Sequence, residues 1–238
     1  MIRRHIPNTI TMGNILFGFL AIGQTATGEL QNAAIFILIG MMLDSMDGWS
    51  ARKLKVESAF GKELDSLADI VTFGVAPAML MYSSTFLNIG FYGLLIAACF
   101  PLFGAYRLAR FNIDDDTGDK NYFTGVPITA AGGIIALLTI FNFIIPQAVI
   151  SAIYMLLCVL MVSRIRVPSL KDIPVPKYSI LITLLLVSLI VVTRYNQSIE
   201  YSSLIILAIL AYISFMIIFI LLKRKRLRDA TATNEHDM

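Results

Sequence analysis

"LDSMDGWSARKLKVESAFGKELDSLADIV", Leu43 to Val71, sets four aspartates, Asp44, Asp47, Asp65 and Asp69, on or between two apolar runs. A carboxylate at membrane depth is costly and usually marks a function. A helix running inward and ending near Lys53 puts Asp44 about 14 Å from that end at ~1.5 Å per residue. A second helix starting near Ser58 and running outward puts Asp69 about 16 Å along its axis by the same rise. The short link "KLKVE" makes the two helices antiparallel neighbours. All four carboxylates then converge at similar depth.

Their faces agree. At ~100° per residue, Asp44, Asp47, Gly48, Ala51 and Arg52 share one side of the first helix, and Ser58, Gly61, Asp65 and Asp69 share a stripe on the second. Four clustered carboxylates repel one another unless cations, or protons, intervene. An all-oxygen set suits hard ions such as Mg²⁺, Mn²⁺ or Ca²⁺. Two ions sharing a bridging aspartate would clamp the attacking and leaving oxygens of a phosphoryl group, and Arg52 beside them suits a phosphate. Two other uses compete. The carboxylates could simply cap or line helix ends, or they could mark the pathway of an ion-coupled transporter. A transporter generally repeats its motif in both halves, whereas this cluster occurs once.

Outward from this stretch the chain is a membrane protein. Its 238 residues are 57% hydrophobic and 15% charged, with a mean hydropathy of +0.77, which excludes an ordinary soluble domain. Apolar runs lie at Ile10–Ala26, Ala33–Trp49, Ile70–Tyr82, Ile89–Leu108, Val126–Ile144, Ala148–Val162, Tyr178–Val192 and Leu204–Leu222. They predict an all-α, polytopic protein of about eight transmembrane helices. Residues 1–222 form one catalytic domain in this reading, and 223–238 a basic, then polar, cytoplasmic tail. The N-terminal run is read as the first anchor, because another span follows it. With the N-terminus inside, every Lys and Arg except Arg194 falls on the inner side, as the positive-inside rule requires. Both termini and the aspartates are thus expected at the cytoplasmic face of the cell membrane. Cys99 and Cys158 sit in apolar runs without metal or redox spacing and read as small buried hydrophobes. "NIDDDTGDKNYF", with Asp114, Asp115, Asp116 and Asp119, reads as a solvated loop.

The pattern Asp44-x2-Asp47-Gly48-x2-Ala51-Arg52-x8-Gly61-x3-Asp65-x3-Asp69 resembles the signature of the CDP-alcohol phosphatidyltransferases at every fixed position. The resemblance implies a membrane enzyme that moves a phosphatidyl group from CDP-diacylglycerol to an alcohol and releases CMP. It also implies a six-helix core, here followed by two C-terminal helices, a dimetal site holding two Mg²⁺ or Mn²⁺, and a homodimer surrounded by membrane lipid, with no nucleic-acid partner. By position, Asp44, Asp47, Asp65 and Asp69 would be metal ligands, and Asp69 also the general base. Gly48, Arg52 and Ser58 would line the CDP-diacylglycerol site. Asn8 and Thr11 belong to the family's Pro-Asn-x-x-Thr motif and would join them; Asn14 stands where many relatives carry a basic residue.

"RLARFN", then Phe123-x-Gly125-x-Pro127, then Ser163-x-Ile165-Arg166, look like the branch that uses L-serine as acceptor. On that resemblance Arg107, Arg110, Asn112 and Arg166 are the candidate serine ligands, with Arg110 and Arg166 leading. An arginine suits serine's carboxylate. It would equally suit the phosphate of glycerol 3-phosphate or an inositol phosphate, so the residues alone leave the acceptor open.

Overall fold

Apolar side chains spaced to bury helix faces dominate the chain, and helices dominate the structure. The computed structural model describes residues 2–116, 122–142, 145–163 and 166–168. Helices α1 (Ile2–Ala26) and α2 (Leu30–Leu54) form a hairpin, and α3 (Ala59–Asp69) returns alongside. A π-helical turn, Ile70–Val75, carries α3 into α4 (Ala76–Met81), and a second, Tyr82–Phe86, leads to a 3₁₀ turn at Leu87–Ile89. Next come α5 (Phe91–Asp116), α6 (Ile128–Ile140) and α7 (Gln147–Val162).

Among the described residues, four continuous helical segments are long and apolar enough to cross a membrane: His5–Ala26, Leu30–Leu54, Ala59–Ile89 and Phe91–Ile113. The two apolar helices that follow, Ile128–Ile140 and Gln147–Val162, are shorter. The expected seventh and eighth runs and the basic tail lie outside the described residues. Two three-residue strands qualify the all-helical expectation. β1 (Tyr122–Thr124) pairs antiparallel with β2 (Arg166–Pro168), Phe123 opposite Val167. The expected loop after Phe111 also differs. Helix α5 continues through Asp116, because Asn112–Asp116 contains neither Gly nor Pro to stop it.

Two junctions position the aspartates. Helix α2 ends where Lys55 turns left-handed at φ 54°, its N–H reaching the carbonyls of Ala51 and Arg52. Helix α3 starts where Ser58 Oγ accepts the Gly61 N–H at 3.1 Å, an N-cap. The link is as short as the sequence implied, so the aspartate-bearing segments run antiparallel.

The core lies between α1, α2, α4, α5, α6 and α7 and includes Ile37, Phe73, Leu80, Phe100, Ile135 and Tyr154. Tyr154 stacks on Phe100 at 5.1 Å and donates its hydroxyl to the Ala97 carbonyl at 2.7 Å. That pairing satisfies a phenol that would be costly to bury alone. Both cysteines are free thiols, Cys158 buried and Cys99 half-buried.

Candidate active site

The acidic cluster assembles from two helices as its spacing required. One carboxylate oxygen from each of Asp44, Asp47 and Asp65 lies within 4.8 Å of the other two. Asp69 is one turn farther along α3 and is not part of this tightest triad, but it stands within electrostatic reach of all three partners. Asp47 and Asp69 are buried, 4% and 8% exposed. Among the described residues, Asp65 Oδ1 and Asp69 Oδ1 are buried oxygens with no hydrogen-bond partner. An unpartnered buried carboxylate oxygen is unfavourable by itself. Three anionic oxygen donors at this spacing, with a fourth carboxylate one turn away, fit a hard divalent cation, so the residues present suit the metal that the family resemblance implies.

Helix α1 packs against both arms of the cluster. Thr11 Oγ1 lies 2.6 Å from Asp47 Oδ2 and 3.0 Å from the Pro7 carbonyl. Its hydroxyl thus fixes one carboxylate of the triad, a contact that the expected role in substrate binding did not foresee. Asn8 Oδ1 lies 3.4 Å from the point where a side chain on Gly61 would begin, and Ser58 Oγ lies 3.2 Å from it. Asn8, Ser58 and Gly61 therefore meet at one spot, although Ser58 Oγ is engaged as the α3 cap. Arg52 is exposed on the last turn of α2. Its guanidinium folds over Gly48, with Nη1 3.4 Å from where a Cβ would stand. A cation on the face that carries Asp44 and Asp47 is well placed for an anionic ligand entering from that helix end.

Asp65 and Asp69 also line a cavity of about 210 Å³. Lys62, Ser66, Arg107, Phe111, Asn112 and Thr129 are among its lining residues. Arg107 is 6% exposed, its Nε has no hydrogen-bond partner among the described residues, and its guanidinium lies 5.9 Å from the Phe111 ring. Asn112 Nδ2 donates to Ser66 Oγ at 3.0 Å, and Lys62 Nζ to the Asn112 carbonyl at 3.4 Å. These bonds tie α5 to α3 across the cavity floor.

Of the four residues expected around the acceptor, Arg107 and Asn112 line this cavity. Arg110 points elsewhere: it donates to the carbonyls of Val162 and Ser163 at 3.1 and 3.3 Å, closing the C-terminal end of α7 onto α5. Arg166 stands at the start of β2. Lys62 and Ser66 escaped the sequence reading, where Lys62 counted only as a topological charge. The signal was present, because Lys62, Asp65, Ser66 and Asp69 follow the i, i+3, i+4, i+7 spacing of one helix face.

The family model for CDP-alcohol phosphatidyltransferase matches residues 4–163, which contain the whole cluster and the cavity. The chain belongs to the CDP-alcohol phosphatidyltransferases. Among individual members of this transferase family, it is 41% identical over 167 residues to a CDP-diacylglycerol–serine O-phosphatidyltransferase of Bacillus subtilis, covering 70% of this chain and 92% of that one. A protein of the same name from Helicobacter pylori strain J99 is 34% identical over 226 residues, covering 92% and 95%. An archaetidylserine synthase of Methanothermobacter thermautotrophicus is 36% identical over 167 residues, covering 68% and 69%.

Proposed function

We propose that this transferase moves the phosphatidyl group of CDP-diacylglycerol to the hydroxyl of L-serine, forming phosphatidylserine and CMP. The observation that carries the reading is the cavity in which a buried arginine, Arg107, faces Asp69 beside the Asp44, Asp47 and Asp65 triad. Relatives named for serine as acceptor, at 34–41% identity, support the same choice.

In this mechanism the donor enters at the helix end that carries Arg52, which pairs with its pyrophosphate. The nucleotide approaches the backbone at Gly48 and Gly61 in this reading, beside the Arg52, Asn8 and Ser58 side chains that stand next to those glycines. Serine occupies the cavity with its carboxylate on Arg107 and its hydroxyl toward Asp69. Asn112 and Ser66 hold the α5 wall of that cavity in register. Asp69 accepts the hydroxyl proton as the serine oxygen bonds to the phosphatidyl phosphorus and the bond from that phosphorus to the CMP oxygen breaks. Divalent cations bound by Asp44, Asp47, Asp65 and Asp69, two Mg²⁺ or Mn²⁺ in our reading, would neutralise the pyrophosphate and the charge developing on CMP. Thr11 holds Asp47 ready for them. The apolar helices support a membrane protein; in our reading it sits in the cell membrane with the aspartates toward the cytoplasm, the side that the basic residues of the sequence favour for both termini.

The deciding assay is CMP release by purified protein given CDP-diacylglycerol, Mg²⁺ or Mn²⁺, and a panel of alcohols. L-serine should give the highest kcat/KM. Faster turnover with glycerol 3-phosphate or an inositol phosphate would replace serine as acceptor while leaving the chemistry unchanged. No CMP release with any alcohol would refute the transferase reading.

A further inference from the structure

Helix α1 grips both arms of the carboxylate cluster. On the α2 side, Thr11 reaches Asp47. About one turn farther along α1, Thr72 Oγ1 donates to the backbone carbonyl of Asn14 at 3.0 Å. Thr72 is fully buried and lies in the π-helical turn that begins directly after Asp69. Its seat is tightly fitted from two helices. A methyl group on Gly18 of α1 would come within 2.8 Å of Thr72 Cα, and one on Gly40 of α2 within 2.5 Å of Thr72 Cγ2. No bonded Cβ tolerates such distances, so the absence of side chains at both positions is what admits Thr72. A helix carbonyl has a second lone pair, so the bond to Asn14 O does not require α1 to break a rung.

The π turn gives this seat its meaning. It closes i→i+5 rather than i→i+4 and tends to occur at functional sites. Were it to relax to α geometry, one residue would be released and everything on one side would rotate by about 100° relative to the other. Asp69 sits at that boundary.

We propose that Thr72 is a positioning residue for Asp69: anchored to the Asn14 carbonyl between Gly18 and Gly40, it holds the π turn that aims the Asp69 carboxylate into the acceptor cavity. The proposal rests on the role given to Asp69 above.

The test compares Thr72→Val, which keeps the shape and loses the hydroxyl, with Thr72→Ser, which keeps the hydroxyl. In the serine assay Thr72→Val should lower kcat about 10–100-fold, the range for removing a supporting hydrogen bond at a site of this kind. The KM for CDP-diacylglycerol should stay within about twofold, and Thr72→Ser should recover most of the lost kcat, since Ser supplies the same donor. Mn²⁺ binding, followed by electron paramagnetic resonance, should weaken much less than kcat falls, because Asp44, Asp47 and Asp65 remain as ligands when Asp69 is misaimed. Gly40→Ala gives a second route. It should reduce kcat by itself, and adding Thr72→Ser should restore part of it by removing the methyl that the new Cβ would strike. Wild-type kcat in Thr72→Val, equal impairment in Val and Ser, or loss of Mn²⁺ binding in parallel with kcat would each overturn the proposal. A wild-type protein that releases no CMP with any alcohol would instead refute the activity, and this role with it.

Discussion

Two arginines three residues apart do different work, and the difference lies in what each guanidinium touches. Arg107 lines the cavity beside Asp69, whereas Arg110 closes on the carbonyls that end α7. Arg107→Ala should therefore raise the KM for serine by at least about tenfold, the scale of one lost charged hydrogen bond, and leave the KM for CDP-diacylglycerol nearly unchanged. Arg110→Ala should instead lower thermal stability, by about 1 kcal/mol or more for unpairing two half-buried carbonyls, with the smaller effect on serine KM. Thermal unfolding in detergent, set beside steady-state kinetics, separates the two; the reverse assignment would move the acceptor site away from this cavity. Asp65 and Asp69 both line the cavity, but Asp69 alone of the four lies outside the tight triad. Asp69→Asn keeps the volume and removes the proton acceptor. It should cut turnover by ~10²–10⁴-fold, the usual contribution of a general base, in a protein that still unfolds near the wild-type temperature. Near-normal CMP release by this variant would remove Asp69 from its role.

At the scale of elements, what the sequence made legible follows from periodicity and charge. Each of the first six apolar runs carries a helical segment, the fifth only over Ile128–Ile140, and Ser58 starts α3 where a cap residue should. The aspartates converge because the Lys55–Ser58 link is too short for anything but an antiparallel return. The π turns were not legible. They insert one residue into an otherwise helical apolar run, and a 3.6-residue period tolerates that shift over so few residues. The roles of Thr11, Arg110 and Lys62 were also hidden, because side-chain direction across helices depends on packing that spacing alone does not specify. The β1–β2 ribbon was missed for a similar reason: three-residue strands carry too short a pattern. Its junction with α6 makes one sharp demand. Gly125 adopts φ +79°, and a Cβ there would collide with the Met161 carbonyl and approach Leu160 O to 3.1 Å. Gly125→Ala should thus lower the unfolding temperature through combined backbone strain and overlap, at roughly 1–3 kcal/mol, and weaken serine binding, since Pro127 and Thr129 follow on the cavity wall. An unchanged unfolding midpoint would mean that this junction yields without cost.

At the scale of the molecule, no single helix makes the site. Helix α2 supplies Asp44 and Asp47, α3 supplies Asp65 and Asp69, α1 secures Asp47 through Thr11, and α5 contributes Arg107 and Asn112. Folding therefore brings like charges together in a poorly hydrated place, and the apolar packing of the remaining helices must hold them there. Mutual repulsion of this kind is relieved by cations. A divalent ion bound by the folded arrangement, and not by the separated helices, stabilises the fold by mass action, by about 2.7 kcal/mol at a hundredfold excess over its Kd. Mg²⁺ or Mn²⁺ should accordingly raise the unfolding temperature of the detergent-solubilised protein, and EDTA should lower it while abolishing CMP release. Replacing Asp44 and Asp47 together by Asn should remove the ion-dependent part of that shift and also reduce its sensitivity to EDTA, because half of the repelling charge is gone. Ca²⁺ should stabilise as well yet support poorer turnover, since its looser coordination fits the oxygens without enforcing one geometry. If stability and activity were both indifferent to chelation, the carboxylates would have to be neutralised by protons, and a metal-assisted transfer would no longer explain why four of them are kept together.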